Sequence, residues 1–96
     1  MQNMSATLTL PKPLSKFLLT ELGCELPQKM FQQMHAQMET EQLYVRFTIE
    51  TGELHDLIKA LKAAQEKIAT PKKRACSDAT VILQAYLKQL ELVQSC

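Results

Sequence analysis

Aromatic residues, glycine and cysteine are all scarce in this chain of 96 residues. It has no tryptophan and only five aromatic residues in all, so its core is expected to consist mainly of leucine, isoleucine, valine, methionine and alanine. Two glycines cannot form the glycine-rich loop that cradles phosphate groups. Three widely spaced cysteines are an odd number, which argues against a disulfide framework and predicts a reducing compartment.

Long hydrophobic runs are also missing. No apolar stretch approaches the roughly 18–20 residues that a bilayer-spanning helix needs. The N-terminus shows no basic segment followed by an apolar one, so no signal peptide is predicted. We therefore expect a cytoplasmic protein without a membrane partner.

Residues that could perform catalysis or bind a metal are few and scattered. The two histidines, His35 and His55, lie among surface-type residues on predicted helices, and the cysteines have neither CxxC nor CxxH spacing. Only Cys76, which follows three consecutive cations, has surroundings that suit a reactive thiol. The sequence therefore predicts a protein that is not an enzyme and that needs no metal or cofactor.

The hydrophobic periodicity predicts a single small domain over residues 1–96, with residues 1–5 mobile. The pattern indicates a helix-dominated α+β fold with four helices and two short strands in the order β-α-α-β-α-α. A left-handed Gly23 is expected to cap the first helix, and Ser77 is expected to cap the fourth. The predicted strands and helices cover residues 6–10, 14–22, 27–42, 43–50, 53–69 and 77 to near the end.

Two segments have a clear apolar face. In the second strand, Val45, Phe47 and Ile49 alternate with polar residues, so these three side chains are expected to face the helices. In the second helix, a methionine stripe is typical of a core, but it could also form an adaptable docking surface because thioether side chains repack easily. The stripe consists of Met30, Met34 and Met38.

Charge is segregated along the chain. Residues 39–56 contain five acidic residues and one basic residue, whereas residues 59–74 contain six basic residues and one acidic residue. The basic segment ends in the sequence ATPKKRA, which we predict to be an exposed loop between two helices. Its cations can steer association with an acidic surface, and an X-Pro bond in such a loop can exchange between cis and trans. The candidate contact residues are Thr70, Pro71, Lys72, Lys73 and Arg74.

The sequence YVRFTIETGELHDLIKALKAA, followed by a second helix, resembles the ribbon-helix-helix repressors. The resemblance implies a DNA-binding regulator in which Tyr44, Arg46 and Thr48 face the major groove. This chain departs from the family in three ways. The strand ends in Glu50 within an acidic region, Pro71 interrupts a long inter-helix connection, and about forty residues precede the strand. Sequence-specific DNA binding is therefore the alternative hypothesis.

The length, the helix-rich pattern and the ATPKKR segment resemble the second anti-RecBCD protein type of lambdoid phages. This resemblance covers most of the chain and implies a non-enzymatic modulator of the host RecBCD helicase–nuclease. It would alter nuclease and recombination activity in the bacterial cytoplasm. Separately from the resemblance, the predicted exposed loop suggests that Pro71 is presented to a host prolyl isomerase that acts as a helper. An unrelated regulator or a secretion chaperone would account for the same helices and remains open.

Overall fold

A computed structural model describes residues 5–95, with side chains described for residues 5–93. The order of strands and helices is β-α-α-β-α-α, as predicted. The strands and helices are β1 (Ser5–Pro11), α1 (Lys12–Glu21), a short 3-10 turn (Gly23–Glu25), α2 (Gln28–Gln37), β2 (Tyr44–Glu50), α3 (Thr51–Lys67) and α4 (Thr70–Ser95). Of the five N-terminal residues predicted to be mobile, Ser5 begins β1, and residues 1–4 lie outside the described part.

The two strands pair with each other in an antiparallel ribbon. Ser5 lies opposite Glu50, Leu8 opposite Phe47 and Pro11 opposite Tyr44. One face of the ribbon packs on the helices, and Phe47 there is 1% exposed. The prediction that Val45, Phe47 and Ile49 face inward is thus confirmed. Leu43, which was predicted to start the strand, instead precedes β2 and is 78% exposed.

Aliphatic side chains and one buried methionine pair fill the space between the ribbon and the helices. Each helix contributes one apolar stripe, because residues three or four positions apart share a helix face. Helices α3 and α4 pack against each other, and the ribbon closes the other side. The fully buried members of this core include Leu10, Leu18, Met30, Met34, Val45, Leu54, Leu61, Cys76, Ala79 and Leu83.

The first helix begins and ends differently from the prediction. It starts at Lys12, directly after β1, because Pro13 fits the first helical turn, where an amide hydrogen is not needed. Gly23 does not adopt a left-handed conformation. A Cβ atom at this position would lie 3.2 Å from the Phe31 ring, a tight contact that would require the ring to shift by a few tenths of an ångström.

Helices α3 and α4 also begin earlier than predicted. Helix α3 starts at Thr51 rather than Glu53, because Glu50 and Glu53 form a reciprocal capping box. Helix α4 starts at Thr70 rather than Ser77, and Pro71 lies in its first turn. Only Ile68 and Ala69 separate the two helices, so the predicted loop around Pro71 is wrong.

Two glutamines of α2 cover the edge of β2 that faces away from β1. The Gln37 side chain donates from Nε2 to the main-chain carbonyl of Arg46 at 2.6 Å, and its Oε1 accepts from the main-chain N–H of Arg46 at 3.0 Å. The side-chain Oε1 of Gln33 accepts from the main-chain N–H of Thr48 at 2.6 Å. These side chains satisfy main-chain groups that a third strand would otherwise pair with.

We expect Gln37→Ala to lower the free energy of unfolding by about 1 kcal/mol, the usual net contribution of lost hydrogen bonds that water can partly replace. Gln32→Ala is the matched control, because Gln32 is an exposed residue of the same helix. Urea unfolding monitored by circular dichroism measures both variants. Equal stability of the two variants would contradict a stabilising role for the Gln37 contact.

Candidate functional site

The histidines and cysteines do not come together in a common site. His35 is exposed and stacks on Phe31 with ring centroids 6.0 Å apart. His55 Nε2 lies 4.0 Å from Glu91 Oε2, and both side chains are more than half exposed. Within residues 5–95, no group of three His, Cys, Asp or Glu residues is arranged to hold a metal ion.

Cys76 lies in the core rather than on a reactive surface. It is 0% exposed, and its Sγ donates to the Leu61 carbonyl at 3.3 Å. Burial raises the pKa of its thiol, and the hydrogen bond with Thr80 offsets only part of that effect. The hypothesis of a reactive Cys76 is therefore wrong, since the cations that precede it do not compensate for burial.

We expect thiol reagents to modify Cys24 and to spare Cys76 in the folded protein. Cys24 is exposed, whereas Cys76 is buried and protonated at neutral pH. Peptide mass spectrometry after iodoacetamide treatment measures each cysteine separately, with urea-unfolded protein as the control in which both react. Modification of Cys76 as fast as Cys24 under native conditions would show that the core opens readily.

The predicted contact residues form the first turns of α4 instead of a loop. Residues 70–74, which we call the basic turn, are all exposed. Lys72 Nζ donates to Glu21 Oε2 at 3.0 Å and thereby links α4 to the end of α1. Lys73 and Arg74 form no ion pair or side-chain hydrogen bond with the rest of residues 5–95. Two solvated cations therefore project from this end of the molecule.

The basic turn opposes the electrostatic preference of its own helix. The N-terminal end of a helix carries partial positive charge, which favours acids and disfavours cations within the first turn. Helix α4 has no acid in its first turn, and Ala69, which precedes it, has no side-chain oxygen that could cap it. Both features weaken this helix end.

An apolar groove of about 730 Å³ lies beside the basic turn. Its walls come from the end of α1, the 3-10 turn and the last two turns of α3, and Glu21 connects it to Lys72. Its apolar lining includes Leu19, Leu22, Phe31, Ala60, Ala63, Ala64 and Ile68. No sequence pattern indicates this groove, because its lining residues come from segments that are far apart in the chain.

The charge segregation in the sequence becomes a segregation in space. Helix α3 has 17 residues and is therefore about 25 Å long. Its acidic first turn and its basic last turn lie at opposite ends, and the contact between His55 and Glu91 places the end of α4 beside the start of α3. The basic turn and the groove thus lie near the basic last turn of α3, and the groove lining itself includes Glu21, Glu25 and Lys67.

The methionine stripe is mainly core. Met30 and Met34 are both 0% exposed, so they present no surface to a partner. Met38 is partly exposed and lines a separate cleft between α1 and the end of α2. The interpretation of Met30, Met34 and Met38 as an exposed docking surface is therefore wrong for the first two residues, which fill the space beneath the ribbon.

None of the helices in the described part of the chain combines the length and apolar character that crossing a bilayer requires. No protein-family model matches the sequence, and comparisons with curated proteins and with solved structures find no match either. A function for this chain must therefore be inferred from its own geometry, and foremost from the basic turn and the groove beside it.

Proposed function

We propose that this chain is a non-enzymatic modulator that binds a bacterial protein complex through the basic turn and the adjacent groove. The observation that carries the proposal is the exposed cation cluster at the start of α4, in which Lys73 and Arg74 have no ion-pair partner within residues 5–95. Together with the resemblance to phage anti-RecBCD proteins, it favours the host RecBCD helicase–nuclease as the partner, in the host cytoplasm.

Two complementary contributions to binding meet at this end of the molecule. Lys73 and Arg74 are solvated and free to approach an acidic surface, so they increase the association rate in a salt-dependent way. The groove supplies apolar side chains that lose contact with water when a partner covers them, as the centre of an interface requires. A partner that presents an apolar side chain within an acidic surface would satisfy both.

Pro71 is the residue through which a host prolyl isomerase would act as a helper. It is exposed, and it lies in the first turn of α4, which contains no acid and follows Ala69, a residue without a capping side chain. A turn with few stabilising contacts opens locally at low free-energy cost. Opening would present Thr70 and Pro71 as an extended dipeptide, the conformation that the residue before a proline prefers.

The alternative, a DNA-binding regulator of the ribbon-helix-helix kind, has a weaker geometric basis. Arg46 and Tyr44 are exposed on the outer face of the ribbon. However, that family pairs the same strand from two chains, whereas β2 here pairs with β1 and its other edge contacts Gln33 and Gln37. We therefore expect no sequence-specific duplex binding at physiological salt. A gel shift that survives competitor DNA and is lost in Arg46→Ala would favour the regulator instead.

The test of the proposal measures binding to purified RecBCD by surface plasmon resonance and protection of linear duplex from its nuclease. One variant is Pro71→Ala, and another combines Lys72→Ala, Lys73→Ala and Arg74→Ala. We expect the triple variant to associate about tenfold more slowly and to lose salt dependence. The matched control combines Lys59→Ala, Lys62→Ala and Lys88→Ala, which removes the same charge from exposed positions elsewhere.

Circular dichroism confirms that each variant is folded before binding is compared, because Lys72→Ala also removes the contact with Glu21. If Pro71→Ala and the triple variant bind and protect DNA ends as well as wild type does, the interface lies elsewhere. If wild type does not bind RecBCD at all, the partner assignment is wrong, and a pull-down from host lysate with mass spectrometry identifies the partner.

A further inference from the structure

The two outer edges of the β-ribbon differ in how many of their main-chain groups have hydrogen-bond partners. The outer edge of β2 is covered, since Arg46 and Thr48 direct their main-chain groups toward the glutamines of α2. At a position of an antiparallel pair where the two facing residues do not hydrogen-bond to each other, both residues direct their main-chain N–H and C=O groups outward, each toward its own outer edge of the ribbon. The partners of Arg46 and Thr48 are Thr9 and Thr7. These threonines therefore direct their N–H and C=O groups away from β2, along the outer edge of β1.

This outer edge of β1, which we call the β1 edge, has one side-chain contact. The Tyr86 hydroxyl donates to the Thr9 carbonyl at 3.1 Å, which confirms that this carbonyl points outward. Within residues 5–95, no side chain or strand pairs with the outward groups of Thr7. The Thr7 and Thr9 side chains are exposed. The β1 edge is therefore contacted by Tyr86 at Thr9 and exposed at Ser5 and Thr7.

The usual protections of an open strand edge are missing from β1. Such edges normally carry lysine, an inward-pointing charge, a central proline or a bulge, each of which prevents pairing with another chain. The sequence of β1 is SATLTLP, which contains no charge, and its only proline is its last residue. The register with β2 is continuous from Ser5 to Pro11, without a bulge. The β1 edge is thus compatible with a further strand.

The strand is also complementary to itself in the antiparallel direction. With Thr7 on a twofold axis, Thr7 faces Thr7 of the second copy, and Ser5 faces Thr9 of the second copy. Each of these facing pairs exchanges two main-chain hydrogen bonds, and hydroxyl side chains pair favourably across strands. On the helix-facing side, the small Ala6 then meets the larger Leu8 of the second copy. No like charges oppose each other anywhere along β1.

We propose that the β1 edge binds the β1 edge of a second copy of this chain, which produces a four-stranded antiparallel sheet in the order β2-β1-β1-β2. A ribbon of two strands is marginally stable alone, and a wider sheet distributes its apolar face over more contacts. The Thr9 carbonyl has two lone pairs and can accept from the second copy while Tyr86 remains nearby. This dimer leaves the basic turn free, since the two sites do not share residues.

The test is a charge complementation at the twofold axis, read by analytical ultracentrifugation over a wide range of protein concentration. Thr7→Lys and Thr7→Glu each place like charges directly opposite each other in the dimer, but leave them in water in the monomer. We expect wild type to dimerise as concentration rises, and each variant alone to dissociate at least about tenfold more readily. An equimolar mixture of the two variants should dimerise again, because lysine then faces glutamate.

Circular dichroism and thermal melting establish that both variants remain folded, as expected for an exposed position. The matched control is Tyr44→Lys, which adds the same charge to the same ribbon face but on β2, away from the axis. The proposal is overturned if wild type stays monomeric at every concentration, and equally if the variants dimerise like wild type or their mixture fails to recover dimer. A monomeric wild type would leave the β1 edge to an extended segment of another protein.

Discussion

Phe47→Asp is expected to leave the protein largely unfolded. Phe47 is 1% exposed and lies at the centre of the buried face of β2, opposite Leu8. Loss of the ring alone costs about 3–5 kcal/mol in a typical core, and an unpaired buried carboxylate adds several more. A domain of this size has a total stability of roughly 5–15 kcal/mol, so the sum approaches or exceeds what is available.

The matched control for this variant is Tyr44→Asp. It replaces an aromatic residue of the same strand by the same acid, and it carries the same low strand propensity. Tyr44 is 61% exposed, so its replacement leaves the core intact. Circular dichroism and thermal melting should show a cooperative transition for Tyr44→Asp and little or none for Phe47→Asp. A folded Phe47→Asp protein with the melting temperature of wild type would contradict the burial of this ribbon face.

The order of strands and helices could be predicted from the sequence because each has a clean hydrophobic period. The alternation of Val45, Phe47 and Ile49 can only be satisfied by a strand with one buried face, and the structure places all three in the core. In α3, Leu54, Leu57 and Leu61 likewise recur at helical spacing, and all three are buried. Hydrophobic periodicity indicates which face of a strand or helix is buried. Tertiary packing rarely changes that face when the period continues along the whole strand or helix.

The helix boundaries were less predictable because proline and glycine each fit more than one local structure. Pro71 fits a loop that follows a helix, yet the same fixed φ suits the first turn of the next helix. Gly23 fits a left-handed cap, yet its φ is not positive and the Phe31 ring lies close to it. In both cases, the deciding interaction comes from residues distant in sequence or from the next helix, which a local pattern does not contain.

The candidate site was predicted in part. Residues 70–74 are exposed, as expected for a contact surface, although they form a helical turn. The pairing of Lys72 with Glu21 and the groove between α1 and α3 depend on how the helices pack, so no spacing rule could reveal them. For Met30 and Met34, the sequence suggested a possible docking surface where the structure has core. A hydrophobic period does not show whether an apolar face is buried or lines a groove.

The double variant Lys73→Glu and Arg74→Glu should abolish partner binding while the fold stays intact. Both side chains are exposed, and both lie at the end of the first helical turn or beyond it, where the helix dipole has little effect. We expect the free energy of unfolding to change by less than about 0.5 kcal/mol, as is usual for exposed positions. The lost cations and the new acids would repel an acidic partner surface, so association should slow by well over tenfold.

The matched control for this last prediction is the double variant Lys59→Glu and Lys62→Glu. It makes the same change in net charge at exposed positions in the middle of α3, where the helix dipole has little effect. Thermal melting should show that both variants are folded, and binding to purified RecBCD should separate them in association rate. Unchanged binding of the α4 variant would mean that the basic turn is not a contact surface. A loss of binding in both variants would instead assign the effect to net charge, whereas loss in the α4 variant alone would tie the cations of the basic turn directly to function.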